Sequence, residues 1–267
     1  MTRRNRLTPS VADVRRAVRE SFERHGVTSG DWILVACSGG PDSLALAAGA
    51  AFEGPKLGLK LAAVIVDHGI QKVTADVAQK TGTTLTELGF ESVEIVPVSV
   101  GVEGGLEAAA RSARYEAIDE VAAALDAKFV LLGHTRDDQA ETVLLGLARG
   151  AGARSLSGMS ELTGRYLRPL LGITRETTVQ ACKDAELEVW HDPHNSEERF
   201  ARVRVRENVL PVLEAELGPG IAEALTRTAD QLREDDEVLD HLAEHAYQEV
   251  ATTGPTSISL SVKALAE

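Results

Sequence analysis

The sequence is poor in cysteine, with only Cys37 and Cys182 and no Cys-x-x-Cys pair. Two distant cysteines exclude a disulfide framework and the usual cysteine-based zinc and redox motifs. Long apolar runs are also lacking, because the longest, at 32–37, has the length of a strand and not of a membrane span. The basic residues at the N-terminus precede no apolar core, so we expect no secretory signal, no membrane attachment and a cytoplasmic protein.

Basic residues are not in excess over acidic ones either. The net charge is −13, which disfavours nonspecific nucleic-acid binding because phosphate contacts need lysine and arginine. However, residues 1–24 contain seven arginines against three acids, whereas residues 214–249 contain eleven acids against two arginines. Most of the negative charge therefore lies in one C-terminal segment, and the rest of the chain can still present a positive face.

Strand and helix patterns alternate along the first half of the chain. Short runs that are apolar on both faces of a strand are typical of buried parallel strands. Such runs occur at 32–37, 61–66, 93–98 and 129–133. Helical patterns lie between and after them, at 43–52, 73–88, 106–127 and from 137 onward. This alternation predicts an α/β fold with a doubly wound parallel sheet and functional sites at the carboxyl ends of its strands.

The second half is predicted to be mainly helical. Helices are expected at 174–185, 202–217 and 221–250, and alternation of apolar residues with serine at 257–262 predicts a closing strand. We expect a nucleotide-binding domain at 1–213 and a smaller helical C-terminal region at 214–267.

A glycine-rich hexapeptide directly follows the first predicted strand and precedes a helix. Glycines let backbone N–H groups point inward, and proline suits the first position of a helix whose N-terminus attracts anions. No lysine follows, so this is not the usual nucleoside-triphosphate loop. A carboxylate beside a phosphate is favourable if Mg²⁺ neutralises both negative charges, or if the carboxylate caps backbone N–H donors. An ordinary strand-to-helix turn is the alternative. The predicted phosphate-binding residues are Ser38, Gly39, Gly40, Pro41, Asp42 and Ser43.

Two further segments end predicted strands. Asp67 and His68 close the second strand, where backbone groups can contact a nucleotide base, although a simple glycine turn fits equally well. His134 follows the fourth strand and precedes a helix that begins with Asp137, Asp138 and Glu141. Acids in a first helical turn often only complement the dipole or form a capping box. Three acids and a histidine at a sheet edge favour instead a site for a cation, either Mg²⁺ or a substrate ammonium.

Taken in order, these segments resemble a known enzyme family. The hexapeptide is similar to the pyrophosphatase loop of ATP pyrophosphatases, which adenylate a carbonyl or carboxylate oxygen. The ordered set is similar to the tRNA(Ile)-lysidine synthetases over residues 30–213. Further matches are Glu-Ala-Ala-Ala-Arg-Ser-Ala-Arg-Tyr at 107–115, the glycine-rich stretch at 150–159, Arg-Pro-Leu-Leu at 168–171, Asp-Pro-His-Asn at 192–195 and Leu-Pro-Val-Leu at 210–213. Ile-Gln at 70–71, where the family commonly has Leu-Arg, is a departure, and longer members continue beyond residue 267.

The resemblance implies a reaction in two steps. The C2 oxygen of the wobble cytidine in a tRNA(Ile) with a CAU anticodon attacks the α-phosphorus of ATP, and pyrophosphate leaves. The ε-amine of L-lysine then displaces AMP to give lysidine. ATP and Mg²⁺ are the implied cofactors, and a homodimer is left open. The implied roles are phosphate binding by the hexapeptide, Mg²⁺ binding by Asp42, chemistry near His134 and Asp138, lysine binding by Arg111, Arg114, Asp138 and Glu141, and tRNA binding by Arg202 and Arg206.

Other interpretations are weighed against this one. Arg111 and Arg114 share a helix face that is also consistent with plain solvation, and the same holds for the arginine run at 202–206. A tRNA-thiolating enzyme of the same fold would typically need cysteine pairs, which this sequence lacks. A synthetase that adenylates a small carboxylate would turn over without RNA. A silent nucleotide-binding or tRNA-docking module would not need both the phosphate loop and the acidic helix start.

Overall fold

A mostly parallel six-stranded sheet lies at the centre of the molecule. The computed structural model describes residues 7–67, 72–98, 106–190, 200–254 and 257–265. The sheet has the order β3-β2-β1-β4-β6-β5, and only β5 runs antiparallel to its neighbour. Its strands are β1 (Trp32–Ala36), β2 (Lys60–Asp67), β3 (Ser92–Pro97), β4 (Phe129–Leu131), β5 (Leu162–Thr163) and β6 (Tyr166–Leu167). The predicted α/β fold with a doubly wound sheet is confirmed.

Helices cover both faces of this sheet. The N-terminal part contains α1 (Pro9–Arg24), α2 (Pro41–Glu53), a 3₁₀ turn (Gly54–Leu57), α3 (Lys72–Glu87), α4 (Leu106–Ala124), α5 (Arg136–Ala148), α6 (Ala153–Leu156) and α7 (Arg175–Asp184). Side chains of α1, α2, α3 and α7 form a large buried cluster on one face of the sheet. Side chains of α4 form a second cluster on the other face. Because apolar surface is buried on both sides, the central strands are apolar on both faces, as their sequences predicted.

The C-terminal part is a series of helices followed by a small hairpin. It contains α8 (Ala201–Arg204), a π-helical segment (Val205–Val209), α9 (Leu210–Leu217), α10 (Ile221–Val250), β7 (Ala251–Thr253), β8 (Ile258–Leu260) and α11 (Val262–Leu265). Helix α10 packs against α5 and α6. No helix among the described residues has both the length and the apolar character needed to cross a membrane.

The structure differs from the predictions at several element ends. β4 stops at Leu131 instead of residue 133, and the β5–β6 hairpin was not predicted because two-residue strands leave no periodic pattern. The closing strand ends at Leu260, and Val262 begins α11, since β7 offers only three residues for pairing.

The strand order has one functional consequence. It places the carboxyl ends of β1 and β4 side by side, so the segments that follow them meet at one edge.

Candidate functional site

The glycine-rich hexapeptide connects β1 to α2 as a tight loop. The Ser43 hydroxyl accepts a hydrogen bond from the Ser38 N–H at 3.2 Å and donates one to the Gly40 carbonyl at 3.0 Å. Gly39 has φ +82°, and a Cβ there would lie 2.5 Å from Thr81 Oγ1. Gly40 has no side chain with which to cap α2, and Pro41 needs no N–H partner. The remaining N–H groups of the first turn are therefore available to an anion such as phosphate.

The segment that follows β4 lies in close contact with this loop. A Cβ on Gly133 would lie 3.0 Å from both the Asp42 carbonyl carbon and the Ser43 nitrogen. Backbone atoms in a buried helix turn cannot move aside as a flexible side chain would. Only glycine at position 133 therefore allows the segment after β4, which begins with His134, to lie against the phosphate loop.

Asp42 belongs to a cluster of charged side chains, which we call the acid–arginine cluster. Its carboxylate accepts hydrogen bonds from the Thr178 hydroxyl and, at 3.5 Å, from Arg175 Nε. The same guanidinium donates to Asp138 Oδ1 at 2.7 Å and to Glu141 Oε1 at 3.3 Å. Three carboxylates from α2 and α5 thus converge on one arginine at the start of α7.

A second arginine and a fourth carboxylate complete this cluster. Arg206 donates to both oxygens of the fully buried Glu141, through Nε at 2.7 Å and Nη2 at 3.2 Å. Asp137 accepts the backbone N–H of Arg175 at 2.8 Å, which fixes the start of α7. Asp138 has two roles, because its other oxygen accepts the Thr135 N–H at 2.8 Å and completes a capping box at the start of α5. The acidic helix start is therefore both a helix cap and part of a charged site.

The pKa shifts show how strongly these charges interact. Burial raises the pKa of Asp42, and the hydrogen bond from Thr178 and the charge of Arg175 oppose this only in part. Burial would also raise the pKa of Asp138, but Arg175 and the Thr135 hydrogen bonds outweigh it and lower that pKa. Four carboxylates surround two guanidiniums, so these six side chains retain two negative charges when all are ionised. This excess of negative charge favours the approach of a further cation.

His134 lies beside this cluster and is neutral. Burial, together with the positive charges of Arg168, Arg202 and Arg111, lowers the pKa of His134 to about 4, although the negative charge of Asp138 opposes this shift. Its buried Nδ1 has no hydrogen-bond partner among the described residues. A neutral imidazole at the sheet edge can donate or accept one hydrogen bond to a substrate, but near pH 7 it supplies no positive charge.

The other predicted residues lie in several places. Asp67 ends β2 at the same sheet edge, whereas His68 and the segment 192–195 lie outside the described residues. Arg111 and Arg114 are exposed on α4, where the Arg111 guanidinium lies 5.0 Å from the centre of the Tyr115 ring. Arg202 Nη2 is 3.5 Å from Thr142 Oγ1. Arg206, predicted to contact tRNA, is tied to Glu141.

Sequence reasoning missed three residues of the site. Two of them, Arg175 and Thr178, contact Asp42 and lie four and seven residues after the Arg-Pro-Leu-Leu segment. The third is Gly133, which the sequence predicted only as part of a strand. The available signal was the i,i+3 spacing of Arg175 and Thr178, which places both on one helix face. That spacing does not reveal the partner, because Asp42 lies more than 130 residues earlier in the chain.

A magnesium ion is compatible with the site only together with a phosphate ligand. No group of three or more histidine, cysteine or acidic side chains among the described residues is placed to hold a metal. Mg²⁺ usually takes one or two protein carboxylates and fills its remaining positions with water and substrate phosphates. Asp42 fits this role, because it stands at the phosphate loop and its contact with Arg175 is long.

Comparison with known proteins narrows the interpretation of this geometry. A family profile described as a PP-loop domain matches residues 11–213. A tRNA(Ile)-lysidine synthase of Thermobifida fusca is 54% identical over 94% of this chain and 76% of its own length. One from Leifsonia xyli subsp. xyli is 54% identical over 91% of this chain and 73% of its own. This chain belongs to the tRNA(Ile)-lysidine synthase family.

A solved structure supports the fold of this family member. The U34-tRNA thiolase NcsA from Methanococcus maripaludis superposes with a TM-score of 0.71 and 20% sequence identity, covering 84% of this chain and 80% of its own. At that identity the likeness concerns the fold alone. The family profile and the named relatives show that the chain is an enzyme of the PP-loop family. The matched residues 11–213 include the phosphate loop, the acidic start of α5, Arg175 and Arg206.

Proposed function

We propose that this protein uses ATP to join L-lysine to C2 of the wobble cytidine of tRNA(Ile) with a CAU anticodon. The relatives that are about half identical over most of the chain are named tRNA(Ile)-lysidine synthase. The observation on which the proposal chiefly rests is the meeting of the phosphate loop and the acid–arginine cluster at Asp42. A group that binds pyrophosphate and a group that attracts a cationic amine must adjoin if the oxygen on one carbon is first adenylated and that carbon is then aminated with loss of AMP.

In the first step, the C2 oxygen of cytidine attacks the α-phosphorus of ATP, and pyrophosphate leaves. The loop from Ser38 to Ser43 would hold the departing pyrophosphate through its N–H groups and hydroxyls. A Mg²⁺ held by Asp42 and the phosphates would neutralise the negative charge of the phosphates and of the carboxylate. Asp67 and His68 are proposed to contact the nucleotide, since Asp67 ends the neighbouring strand β2 and His68 is the next residue in the sequence.

In the second step, the ε-amine of lysine attacks C2, and AMP leaves with the former C2 oxygen. Asp138 and Glu141 are proposed to attract the ammonium group of the amino acid, with Arg175 and Arg206 fixing the two carboxylates. Because the cluster contains both signs of charge, it matches the zwitterionic end of a free amino acid. The ε-amine is then left free to act as the nucleophile.

Neutral His134 is proposed to hydrogen-bond the reacting base. A histidine with a pKa near 4 contributes a dipole and not a charge. Arg202 is proposed to meet tRNA phosphates, together with Arg206 if tRNA binding releases it from Glu141. Arg111 and Arg114 are proposed contacts for an anionic group of lysine or of the nucleotide, as their exposure on α4 allows.

The rival assignments account for fewer observations. Sulfur transfer needs a reactive thiolate, whereas both cysteines are buried and burial raises the pKa of Cys37 and takes the pKa of Cys182 to about 12. A small-molecule synthetase would not require RNA for pyrophosphate release. A silent binding module has no use for a buried charge cluster at the phosphate loop, since such charges cost stability.

One experiment tests the proposal directly. The protein is incubated with ATP, labelled lysine and tRNA bearing a CAU anticodon, and the nucleosides are analysed. We expect label in lysidine, with pyrophosphate release that depends on the tRNA. A Glu141→Gln variant should raise the KM for lysine by about tenfold or more, since it removes a charge-assisted contact. The exposed Glu120→Gln on α4 is the matched control. Pyrophosphate release that is independent of tRNA would refute the proposal.

A further inference from the structure

A buried threonine of α3 adjoins the phosphate loop and has no role in the function proposed above. Thr81 is only 6% exposed. It lies on the same face of the helix as Ala78 and Leu85, which are both buried. A polar side chain therefore stands in an apolar stripe, where burial favours an apolar residue unless the hydroxyl finds a partner.

The oxygen of Thr81, and not its methyl group, is turned toward Gly39 of the loop. A Cβ built on Gly39 would lie 2.5 Å from Thr81 Oγ1 but 3.7 Å from Thr81 Cβ. Val77, one helical turn earlier, lies beside it, with Cγ1 at 3.7 Å from the same point. The missing side chain of Gly39 thus leaves room for the Thr81 hydroxyl directly against the loop backbone.

This hydroxyl is not used within its own helix. Threonine in a helix often donates to the carbonyl four residues earlier, and Thr83, Thr84 and Thr86 do so at 3.1, 3.1 and 2.9 Å. Within the described part of the chain, Thr81 forms neither this bond nor another hydrogen bond. Its oxygen is also absent from the unpaired polar atoms that are fully enclosed by protein. The hydroxyl is therefore free to meet a ligand at the loop.

The loop itself has few hydroxyl donors to spare. The single proton of the Ser43 hydroxyl is donated to the Gly40 carbonyl at 3.0 Å. The Gly39 carbonyl accepts the Trp190 N–H at 2.9 Å. Because the N–H of a trans peptide points opposite to its carbonyl, the Gly40 N–H points away from Trp190. An anion at this N–H would gain a further donor if a neighbouring element supplied one.

We propose that the Thr81 hydroxyl donates a hydrogen bond to the pyrophosphate end of ATP, beside the N–H groups of the loop. This inference rests on one part of the proposed function, namely that the loop from Ser38 to Ser43 binds pyrophosphate. The β- and γ-phosphates are favoured over the α-phosphate because Gly39 belongs to the anion-binding loop, whereas the α-phosphorus must stay open to the attacking oxygen. A charged acceptor also makes a stronger bond to the hydroxyl than water does.

The test compares variants that differ in one hydroxyl group. Binding of magnesium pyrophosphate and of AMP to the full protein is measured by titration calorimetry, and the KM for ATP is measured in parallel. Thr81→Val keeps the shape without the hydroxyl, and we expect it to bind pyrophosphate about tenfold more weakly, with a similar rise in the KM for ATP and unchanged AMP affinity. Thr81→Ser keeps the hydroxyl and should bind pyrophosphate like the wild type. Thr83→Val, on the exposed side of the same helix, is the matched control.

Thermal unfolding separates a ligand contact from a structural role. Without ligand, Thr81→Val should melt at the wild-type temperature or above it, because no hydrogen bond within the protein is lost and an apolar group replaces a polar one. Added pyrophosphate should raise its melting temperature less than that of the wild type, since it binds more weakly. A lower melting temperature in the absence of ligand would show that the hydroxyl is bonded within the protein, and would overturn the inference.

The other outcomes are equally decisive. Equal pyrophosphate affinity in the wild type and Thr81→Val would mean that the hydroxyl faces water only. An equal loss in Thr81→Ser and Thr81→Val would assign the effect to packing of the methyl group, and an equal loss for AMP would assign it to the α-phosphate. Each of these would overturn the inference. Lysine incorporation by the wild type is assayed in the same preparation. Its absence would count against the proposed function, whereas the pyrophosphate titrations would still report on Thr81.

Discussion

Asp42 shows how one residue can cost stability and still be kept in an active site. Its carboxylate is largely removed from water, and burial raises its pKa despite the contacts with Thr178 and Arg175. An acid whose pKa is raised on folding binds its proton more tightly in the folded state. Above the unfolded pKa its ionised form therefore costs folding free energy. Such a cost at a phosphate loop indicates a functional charge.

Replacing Asp42 by asparagine should therefore separate function from stability. We expect Asp42→Asn to lower kcat/KM for lysine incorporation by at least about 100-fold, while the melting temperature at pH 7 does not fall. The amide keeps an oxygen that can accept the Thr178 hydrogen bond and removes the buried charge. Asp184→Asn on α7, whose carboxylate accepts only the Gln180 side chain among the described contacts, is the control. Full activity in Asp42→Asn would refute the role in metal and phosphate binding.

His134 gives a prediction about pH. Its folded pKa of about 4 lies below the ordinary value of 6.5, so between these two values the unfolded chain binds more protons. Stability is therefore fully present above pH 6.5 and decreases as the pH falls toward 4. We expect His134→Asn to reduce this decrease in urea unfolding measured between pH 7 and 4.5. The wild-type imidazole should show no NMR titration between pH 5 and 8, and a midpoint near 6.5 would contradict the assignment.

At the scale of elements, the sequence predicted the segments that form the site better than the contacts between those segments. The phosphate loop and the acidic start of α5 follow strands, and strand ends are recognisable from short apolar runs and glycines. The contribution of α7 was missed because an amphipathic helix reveals which face is polar but not what that face touches. Arg175 reaches Asp42, Asp138 and Glu141 only because α7 packs on α2 and because Asp137 fixes its first turn.

The contact between β4 and α2 can be tested with one methyl group. Gly133→Ala would place a Cβ 3.0 Å from the backbone of Asp42 and Ser43, which would displace either the phosphate loop or His134. We expect the KM for ATP to rise by about tenfold and stability to fall by about 1–3 kcal/mol, as for other overpacked sites. Gly172→Ala is the control, because a Cβ there meets nothing within 4 Å. An unchanged KM for ATP in Gly133→Ala would show that this close approach does not position the loop.

At the scale of the whole molecule, α10 is joined to the catalytic part through the loop at 150–159. The Gln139 side chain on α5 donates to the Met159 carbonyl at 2.9 Å and accepts the Met159 N–H at 2.7 Å. Gly158, at φ +66°, lies so close that a Cβ would be 2.6 Å from the Gln139 oxygen. From the other side, Arg154 of α6 pairs with two acids of α10. The glycine-rich loop is thus a connector between α5, which bears Asp138, and the acidic C-terminal helix.

Arg233 is the residue of α10 whose loss should weaken this connection most. Its Nη2 donates to the carbonyls of Ser157 and Met159, at 3.1 Å in the latter case, so Arg233→Gln leaves two carbonyls short of a charged donor. We expect a loss of about 1–2 kcal/mol in urea unfolding and faster proteolysis within α10. Arg227→Gln, on an exposed face where it pairs with Glu223, should change neither. If α10 needs this anchor to present the tRNA to the site, the KM for tRNA should rise in Arg233→Gln while pyrophosphate binding stays constant. A variant as stable and as protease-resistant as the wild type would show that the exposed arginine pairs of α6, and not Arg233, hold the two parts together.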